Sequence, residues 1–503
     1  MIRFLAVLMF SVLVAGCGRQ PGESVLRNDV EAMLAAGFGE GTFKVVDFER
    51  RGSAVDSTAP SDETRKVAYY DVELELTRDL ALGDWDEPGA ASLVTLLGAG
   101  PRSIRGVTAG GNKAGDRIVA HASAIYRDAG DHWSFVMPAG FKDVGRPKVE
   151  TGQPVHASKE ALDRLAEITR SVEAGGSRAA QSAVDQELQR SVARISGRLA
   201  RIEQGYPIAA GLNRGEYASF VSALAELALA QDMRLVPLLT GGGEDNLDLL
   251  RNGNVLVALA QADTAFDAYN GTGPFASKGA LASLQALGSL YPEYVHIVVR
   301  ADSGFATAAD LKGSRIAVGP EGSAVRGTLT RVLAAHGLEP GRDYEAVSAR
   351  LGDALPGLRQ GEVDAAAHVI GLPATPLRDA LAGEGGALKL LPLARSATET
   401  LAESGRGIVP AIIAAGVYPE QREGVATVAV PALLLATDTL SREEAARLVH
   451  IVFESGNDLL AHGSAQGSQV SLRTARRGLT VPLHPGAEQA FSEMEASAAD
   501  TGR

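Results

Sequence analysis

The sequence predicts an α/β protein with two lobes around a cleft over residues 207–503, preceded by a small α+β domain and a helical spacer. Three observations lead there. From Pro207 onward, apolar runs of strand type alternate with runs of helical spacing, the mark of parallel α/β units. That stretch, about 300 residues long, is more than one such core needs. The chain of 503 residues is 45% hydrophobic and 22% charged, which suits folded cores and excludes wholesale disorder.

Met1-Ile2-Arg3 precedes an apolar run from Phe4 to Val14, the form of a secretory signal and too short for a spanning helix of about 20 residues. The run ends in Val14-Ala15-Gly16-Cys17. As the only cysteine, Cys17 can form neither an internal disulfide nor a multi-thiolate metal site. The four residues resemble the lipobox of bacterial lipoproteins. The resemblance implies that residues 1–17 hold the signal, that Cys17 is lipidated, and that acyl chains anchor the mature protein outside the cytoplasm. A secretory signal with an incidental cysteine is the alternative. Gly18 leaves inner and outer membrane both open.

Residues 24–148 read as the α+β domain. Glu23 to Ala36 has helical spacing through Val25, Val30, Met33 and Leu34. Thr42 to Phe48 and Lys66 to Leu76 alternate as strands, and Arg117 to Tyr126 joins His132 to Met137 through the turn Asp128-Ala129-Gly130-Asp131. One helix with an antiparallel meander is expected. Tyr69, Tyr70, Tyr126 and Trp133 read as core aromatics in preference to a groove. Residues 157–204 form the spacer, a helical hairpin or short coiled coil. Its Leu188, Val192, Ile195, Leu199 and Ile202 lie on a heptad seam that should pack against a neighbouring domain.

In the last three-fifths, Leu235 to Leu239, Val255 to Ala260, Val295 to Val299 and Arg315 to Val318 read as strands. Glu216 to Ala230, Glu244 to Leu250, Ala324 to His336 and Ala354 to Gln360 read as helices. Ligands of open α/β sheets bind beyond the carboxyl ends of strands, where loops start helices. Four such joints stand out: Ala210 to Tyr217, Thr240 to Asn246, Gln261-Ala262-Asp263, and Gly319 to Thr328. Their glycines admit close approach, and free N–H groups at helix starts suit a small carboxylate.

The formal charge of −13, without a clustered basic face, argues against nucleic acid. None of the loops has the Gly-Lys-Ser/Thr ending of a phosphate loop or a dinucleotide fingerprint, and the nine histidines lack metal-ligand spacing. No nucleophile, base or cofactor set emerges, so an enzyme is not expected. Glu362 and Asp364 read as a solvated turn.

Taken in order, the motifs resemble the TAXI family of solute receptors of TRAP-type transporters, over about residues 207–495. Thr240-Gly241-Gly242 with Glu244 and Asn246, then Gln261-Ala262-Asp263, Leu290-Tyr291-Pro292-Glu293 and Asp310-Leu311-Lys312-Gly313 follow the family's order. So do Gly319 to Ser323, Gly361 to Ala366, Gly371-Leu372-Pro373 and Pro482 to Ala487. The resemblance implies a two-lobed, type II-like periplasmic binding fold that closes on an organic acid or amino acid and delivers it to a permease. Two loops depart from the pattern. Gly211-Leu212-Asn213-Arg214-Gly215 stands where the family carries Gly-Thr-Gly-Gly, and Gly322-Ser323-Ala324-Val325 stands where it carries Gly-Ser-Gly-Thr. Arg214 and Arg326 are therefore candidate carboxylate clamps. The expected ligand-binding set is Arg214, Tyr217, Thr240, Gly241, Gly242, Asn246, Gln261, Ser323 and Arg326, with Gln261 or Asn246 reading a second polar group and no metal or cofactor. A non-transporting sensor or envelope scaffold that keeps the receptor fold is the alternative function, motivated by the extra N-terminal domain and spacer.

Overall fold

The computed structural model describes residues 21–56, 59, 63–82, 89–108, 111–130, 132–138, 184, 197–212, 215–321, 323–372, 374–382, 387–418 and 421–501. The signal segment with Cys17, most of the spacer, and Arg214 lie outside them.

Helix α1 (Glu23–Phe38) buries Leu26, Val30, Leu34 and Phe38, one stripe at helical spacing, and leaves Val25 in solvent. It lies on an antiparallel sheet of β1 (Phe43–Val55), β2 (Arg65–Leu76), β3 (Ala99–Arg105), β4 (Arg117–Asp128) and β5 (Trp133–Pro138). The strand order is β1-β2-β4-β3, with β5 also on β4. This is not the expected meander: between β2 and β4 the chain inserts a second helix, α2 (Ala90–Leu97), and the edge strand β3. Tyr70 and Tyr126 are core, as expected. Their hydroxyls donate to Leu97 O at 2.6 Å and Asp29 Oδ2 at 2.8 Å.

All eight residues of α2 are buried, Ser92 and Thr95 included. A helix apolar all round must be covered on every side. Its own sheet covers part, and the following unit covers the rest: Ala91 packs in that unit's core, and Leu96 lies against Gly416. In return, Leu460 from near the C-terminus enters the core under α1 and β2. The N-terminal unit is thus built into the receptor-like part, not strung beside it.

Of the spacer, residues 197–204 are described and helical. Leu199 and Ile202, expected on a packed seam, are 53% and 58% exposed. The inward face is set by Arg201, whose guanidinium donates to both oxygens of Glu444 at 2.9 and 2.8 Å, where Tyr206 also donates at 3.1 Å. A bidentate pair fixes the rotation of the helix more strictly than two leucine-sized side chains.

The remaining chain forms one ten-stranded sheet. Its first part runs β6 (Tyr206–Ala209), α3 (Glu216–Ala230), β7 (Leu235–Leu238), α4 (Gly243–Arg251), β8 (Val257–Gln261), α5 (Ala262–Asn270) and β9 (Leu284–Arg300). The second part runs β10 (Arg315–Ala317), α6 (Ala324–Ala335), β11 (Glu345–Val347), α7 (Leu351–Gln360), β12 (Ala365–Ile370), α8 (Thr375–Leu381), β13 (Leu388–Leu390), α9 (Arg395–Glu403), β14 (Val409–Ile413) and β15 (Val425–Thr437). The chain then returns to the first part with α10 (Arg442–Glu454), α11 (Gly456–Ala461), a 3-10 turn (Ala465–Gln469) and α12 (Pro485–Thr501).

The path is β11-β10-β12-β9-β15-β8-β6-β7. Each flank is parallel, as expected, but the two central strands are antiparallel to their neighbours and serve both lobes. Leu284 to Tyr291 pairs with Ala432 to Thr437 beside β8, and Tyr294 to Val299 lies beside β12. At the change-over Pro292 stands opposite Pro431, and the register shifts just after it. Neither proline can donate to the ladder, so the strands are least tied where they pass between lobes. Gly288, at φ +150°, accommodates Phe453, whose ring lies 2.5 Å from where a Cβ would stand.

One core covers a face of the sheet across both lobes, while the opposite face carries one core under α3, α10 and α12 and another under α7 and α8. Replacing Leu460, which is 3% exposed, with Ala should cost about 2–5 kcal/mol. In calorimetry the loss should lower the transition of the N-terminal unit together with that of the lobes. A separate, unmoved transition for either would contradict the shared core.

Candidate ligand-binding site

The first, second and third joints converge. Thr240 N–H donates to Gly211 O, and Asn246 donates both amide protons, to Ala210 O at 2.7 Å and Leu259 O at 2.6 Å. Asn246 Oδ1 accepts from the Thr240 hydroxyl at 2.5 Å. Asn246 is 0% exposed, so it ties three strand ends together and has no N–H left for a ligand. Gly241 N–H bonds Asp245 at 2.9 Å and Gly242 N–H bonds Thr240 Oγ1 at 3.2 Å. These two N–H groups just before α4 are therefore engaged within the joint and are not the free anion donors expected of them. Gly242 is required for its φ of +124°.

Gln261 ends β8, and α5 begins at the next residue, so the third joint is a corner and not a loop. At that corner Gln261 Nε2 donates to Glu293 Oε2 at 2.9 Å, and Tyr217 OH donates to the same oxygen at 3.1 Å. Tyr217 stands on the first turn of α3, and Glu293 on the change-over of β9. Glu216, beside Tyr217, accepts from Gln466, whose amide also donates to Leu372 O at 3.1 Å. Glu216 and Tyr217 keep part of their surface accessible while surrounded by protein, as residues lining a recess do.

Burial dominates the electrostatics of this recess. It pushes Glu293 up to about 7, with Asp263 adding to the rise and the Gln261 and Tyr217 bonds opposing it. It pushes Glu216 up to about 8, helped by the Glu293 charge and opposed by Gln466. Burial and then Glu293 hold the Tyr217 phenol protonated far above its ordinary range.

Next to the recess the lobes meet through charge. Thr328 on α6 donates to Asp263 Oδ2 at 2.6 Å, and Arg331, one turn further on, donates to the same oxygen at 2.7 Å. Arg331 also bonds Asp267, which Arg406 reaches at 2.6 Å. Asp263 and Asp267 are buried, so this is a bridge with little solvent between α5 of one lobe and α6 of the other.

Of the fourth joint, Ser323 caps α6, its hydroxyl donating to Pro320 O at 2.8 Å. Arg326 turns back toward Gly319 O at 3.5 Å and Glu321 at 4.0 Å and lines a surface depression with Tyr344. Two residues along a helix is about 200° of rotation, so Arg326 cannot share the face of Thr328. Tyr217 and Gln261 are therefore brought together, Thr240, Gly241, Gly242 and Asn246 build the wall behind them, and Arg326 stands apart. Glu216, Glu293, Thr328 and Arg331 were not expected. Glu293 lay inside a quoted motif, and Glu216 adjoined Tyr217. Elsewhere, Asp364 accepts from the Arg315 guanidinium at 2.9 Å while Glu362 is exposed, so the former is a strand-end tie and not a solvated turn. Among the described residues no group of three or more His, Cys, Asp or Glu could hold a metal ion.

Residues 208–494 match the model of the NMT1-like family. Similar solved structures include the periplasmic aliphatic sulphonate binding protein SsuA of Escherichia coli, at 17% identity over 57% of this chain and 82% of that one, with a TM-score of 0.34. The alkanesulfonate-binding protein SsuA of Xanthomonas axonopodis pv. citri, bound to MOPS, is 20% identical over 57% and 83%, with a TM-score of 0.32. A periplasmic binding protein from Brucella ovis with glutathione bound is 14% identical over 50% and 68%, with a TM-score of 0.30.

Two measurements check this geometry. Arg331→Ala leaves Asp263 buried without its cation and should cost about 3–5 kcal/mol in denaturant unfolding. Glu216 and Glu293 titrate higher in the fold than when unfolded, so their contribution is complete below the ordinary value of 4.5 and is lost as pH rises through about 7 and about 8. The melting temperature should fall between about pH 5 and about pH 8.5, and Glu216→Gln should flatten that fall. An unchanged pH profile in this variant would show that its carboxyl is not buried in solution.

Proposed function

The chain belongs to the NMT1-like family, and we propose that it is an extracytoplasmic solute-binding lipoprotein that captures a small carboxylate, an organic acid or amino acid, for a TRAP-type permease. One observation carries the reading: the family match takes in both lobes and every joint around Gln261 and Glu293. The motif order from Thr240 to Ala487 supports the TAXI type and hence the permease. The Val14-Ala15-Gly16-Cys17 segment supports a periplasmic, membrane-anchored protein. Among the described residues no helix is long and apolar enough to cross a membrane.

The ligand lies between the first turn of α3 and the start of α6, with Tyr217, Gln261 and Ser323 from the described joints and Arg214 from the first loop. Charge-assisted hydrogen bonds of about 1.5–3 kcal/mol each, with the helix start of α6, reach the roughly 8 kcal/mol of a micromolar complex. Closure is a hinge motion at the facing prolines, ending in the bridge from Arg331 to Asp263.

A second reading has its own support. Helix α2 packs against the lobes and Leu460 enters the N-terminal core, which a freely hinged receptor does not need. On that reading the chain is a sensor or envelope scaffold that keeps the receptor fold without transport. A thermal-shift screen of the form lacking residues 1–17, against organic acids and amino acids, separates the two. A saturable rise with one carboxylate, about 2.7 kcal/mol at a hundredfold excess over its Kd, and its loss in Arg214→Ala are expected of the receptor. No rise, with no co-purified ligand in mass spectrometry of the denatured protein, would leave the scaffold.

A further inference from the structure

Among the described residues, the acidic groups of the recess, Glu293 and Glu216, have no cation as partner. Glu293 is 5% exposed, and both of its hydrogen bonds fall on Oε2. Among the described residues none falls on Oε1. Glu216 accepts from the neutral amide of Gln466 and, among the described residues, has no cation as partner. The nearby cations are already engaged, Arg331 with Asp263 and Asp267, and Arg406 with Asp267. A second, independent group points into the same place. Tyr291 is 0% exposed, and its hydroxyl has no hydrogen-bond partner among the described residues. Tyr291 stands two residues before Glu293 on β9, so the two side chains leave the same face of the strand, and Tyr217 packs against the core that holds Tyr291. An orphan hydroxyl removed from water is costly unless a ligand completes it, and the unbonded oxygen of Glu293 offers the same ligand an acceptor.

We propose that the bound solute carries a protonated amine, held by Glu293 Oε1 with Glu216 and Tyr291 around it, so that the cargo is an amino acid and not a simple organic acid. An ammonium group has three N–H donors, which matches two carboxyl oxygens and a phenol oxygen. It also brings a positive charge beside two carboxyls that have none among the described residues, and so favours their ionised form, while the carboxylate of the same molecule lies toward the α6 start. A solute with a hydroxyl or keto group in place of the amine brings no such charge, and its carboxylate would oppose that ionisation. The inference rests on the solute-binding reading above.

The test uses the chain from residue 18 onward and matched probes: alanine, lactate and ethylamine; aspartate, malate and β-alanine; phenylalanine, phenyllactate and phenethylamine. Calorimetric titration should find binding by at least one amino acid, at least tenfold tighter than its hydroxy acid. Glu293→Gln, checked for a cooperative melt, should lose at least tenfold in amino-acid affinity and narrow the preference for the amino acid over its hydroxy acid. Tyr291→Phe should weaken the same amino acid several-fold. Hydroxy acids that bind as well as their amino acids, or a Glu293→Gln variant of unchanged affinity, would overturn the amine while leaving the receptor intact. Binding by none of the probes would reject the amino-acid cargo, and an accompanying absence of any organic acid ligand would reject the receptor.

Discussion

Everything in the receptor-like part hangs on one antiparallel ladder, the pairing of Leu284–Arg300 with Val425–Thr437. These two strands are the middle of the sheet for both lobes, and Glu293 stands on one of them at the change-over. The ladder cannot be lost in part. Its lower half carries β8, and with it Gln261; its upper half carries β12 and the elements that follow. Where the two prolines face each other the backbone bonding thins, and side-chain chemistry takes over: Gln261 and Tyr217 reach Glu293 there, and the Arg331 bridge lies alongside. The stretch of ladder thinned by the two prolines and a cluster of buried polar groups coincide.

That coincidence explains the odd electrostatics. A carboxyl on a central strand is normally excluded by desolvation. Glu293 is kept, raised to about 7, with one oxygen held by two neutral donors and no cation beside it among the described residues. By contrast Asp263, a few ångströms of corner away, is given Thr328 and Arg331. The molecule therefore treats two acidic groups of one neighbourhood differently, one closed off between the lobes and the other left incomplete.

The periodic elements were legible in the sequence where a single face is buried. Glu216–Ala230 is legible to the residue because a glycine precedes it and its buried positions, Phe220, Leu224 and Leu227 among them, recur at helical spacing. Helix α2 was missed for the opposite reason: apolar on every side, it has no periodicity to detect. Strand β9 was read only from Val295 to Val299, since Gly288 and Pro292 interrupt its pattern, and both interruptions proved to be structural devices. Leu199 and Ile202 face outward because the ion pair at Arg201 takes the inward side of their helix, while Leu188, Val192 and Ile195 of the same seam lie outside the described residues. In the site, joints rich in glycine were visible, but which atoms face a ligand was not. The place of Arg326 apart from Thr328, the tie that Asn246 makes across three strands and the partial burial of Glu216 are all tertiary facts. A glutamate in a sequence looks solvated until its neighbours are known.

The helix wedged between the N-terminal sheet and the lobes also has a thermodynamic reading. If hinge opening uncovers even ~100 Å² of its apolar surface, the open form is disfavoured by about 2.5 kcal/mol, a shift of between tenfold and a hundredfold in population. The N-terminal unit then acts as a preload on the hinge, setting how much of the protein stands closed before any solute arrives. Substitutions at Ala91 or Leu96, which touch no solute, would change apparent affinity through that preload alone.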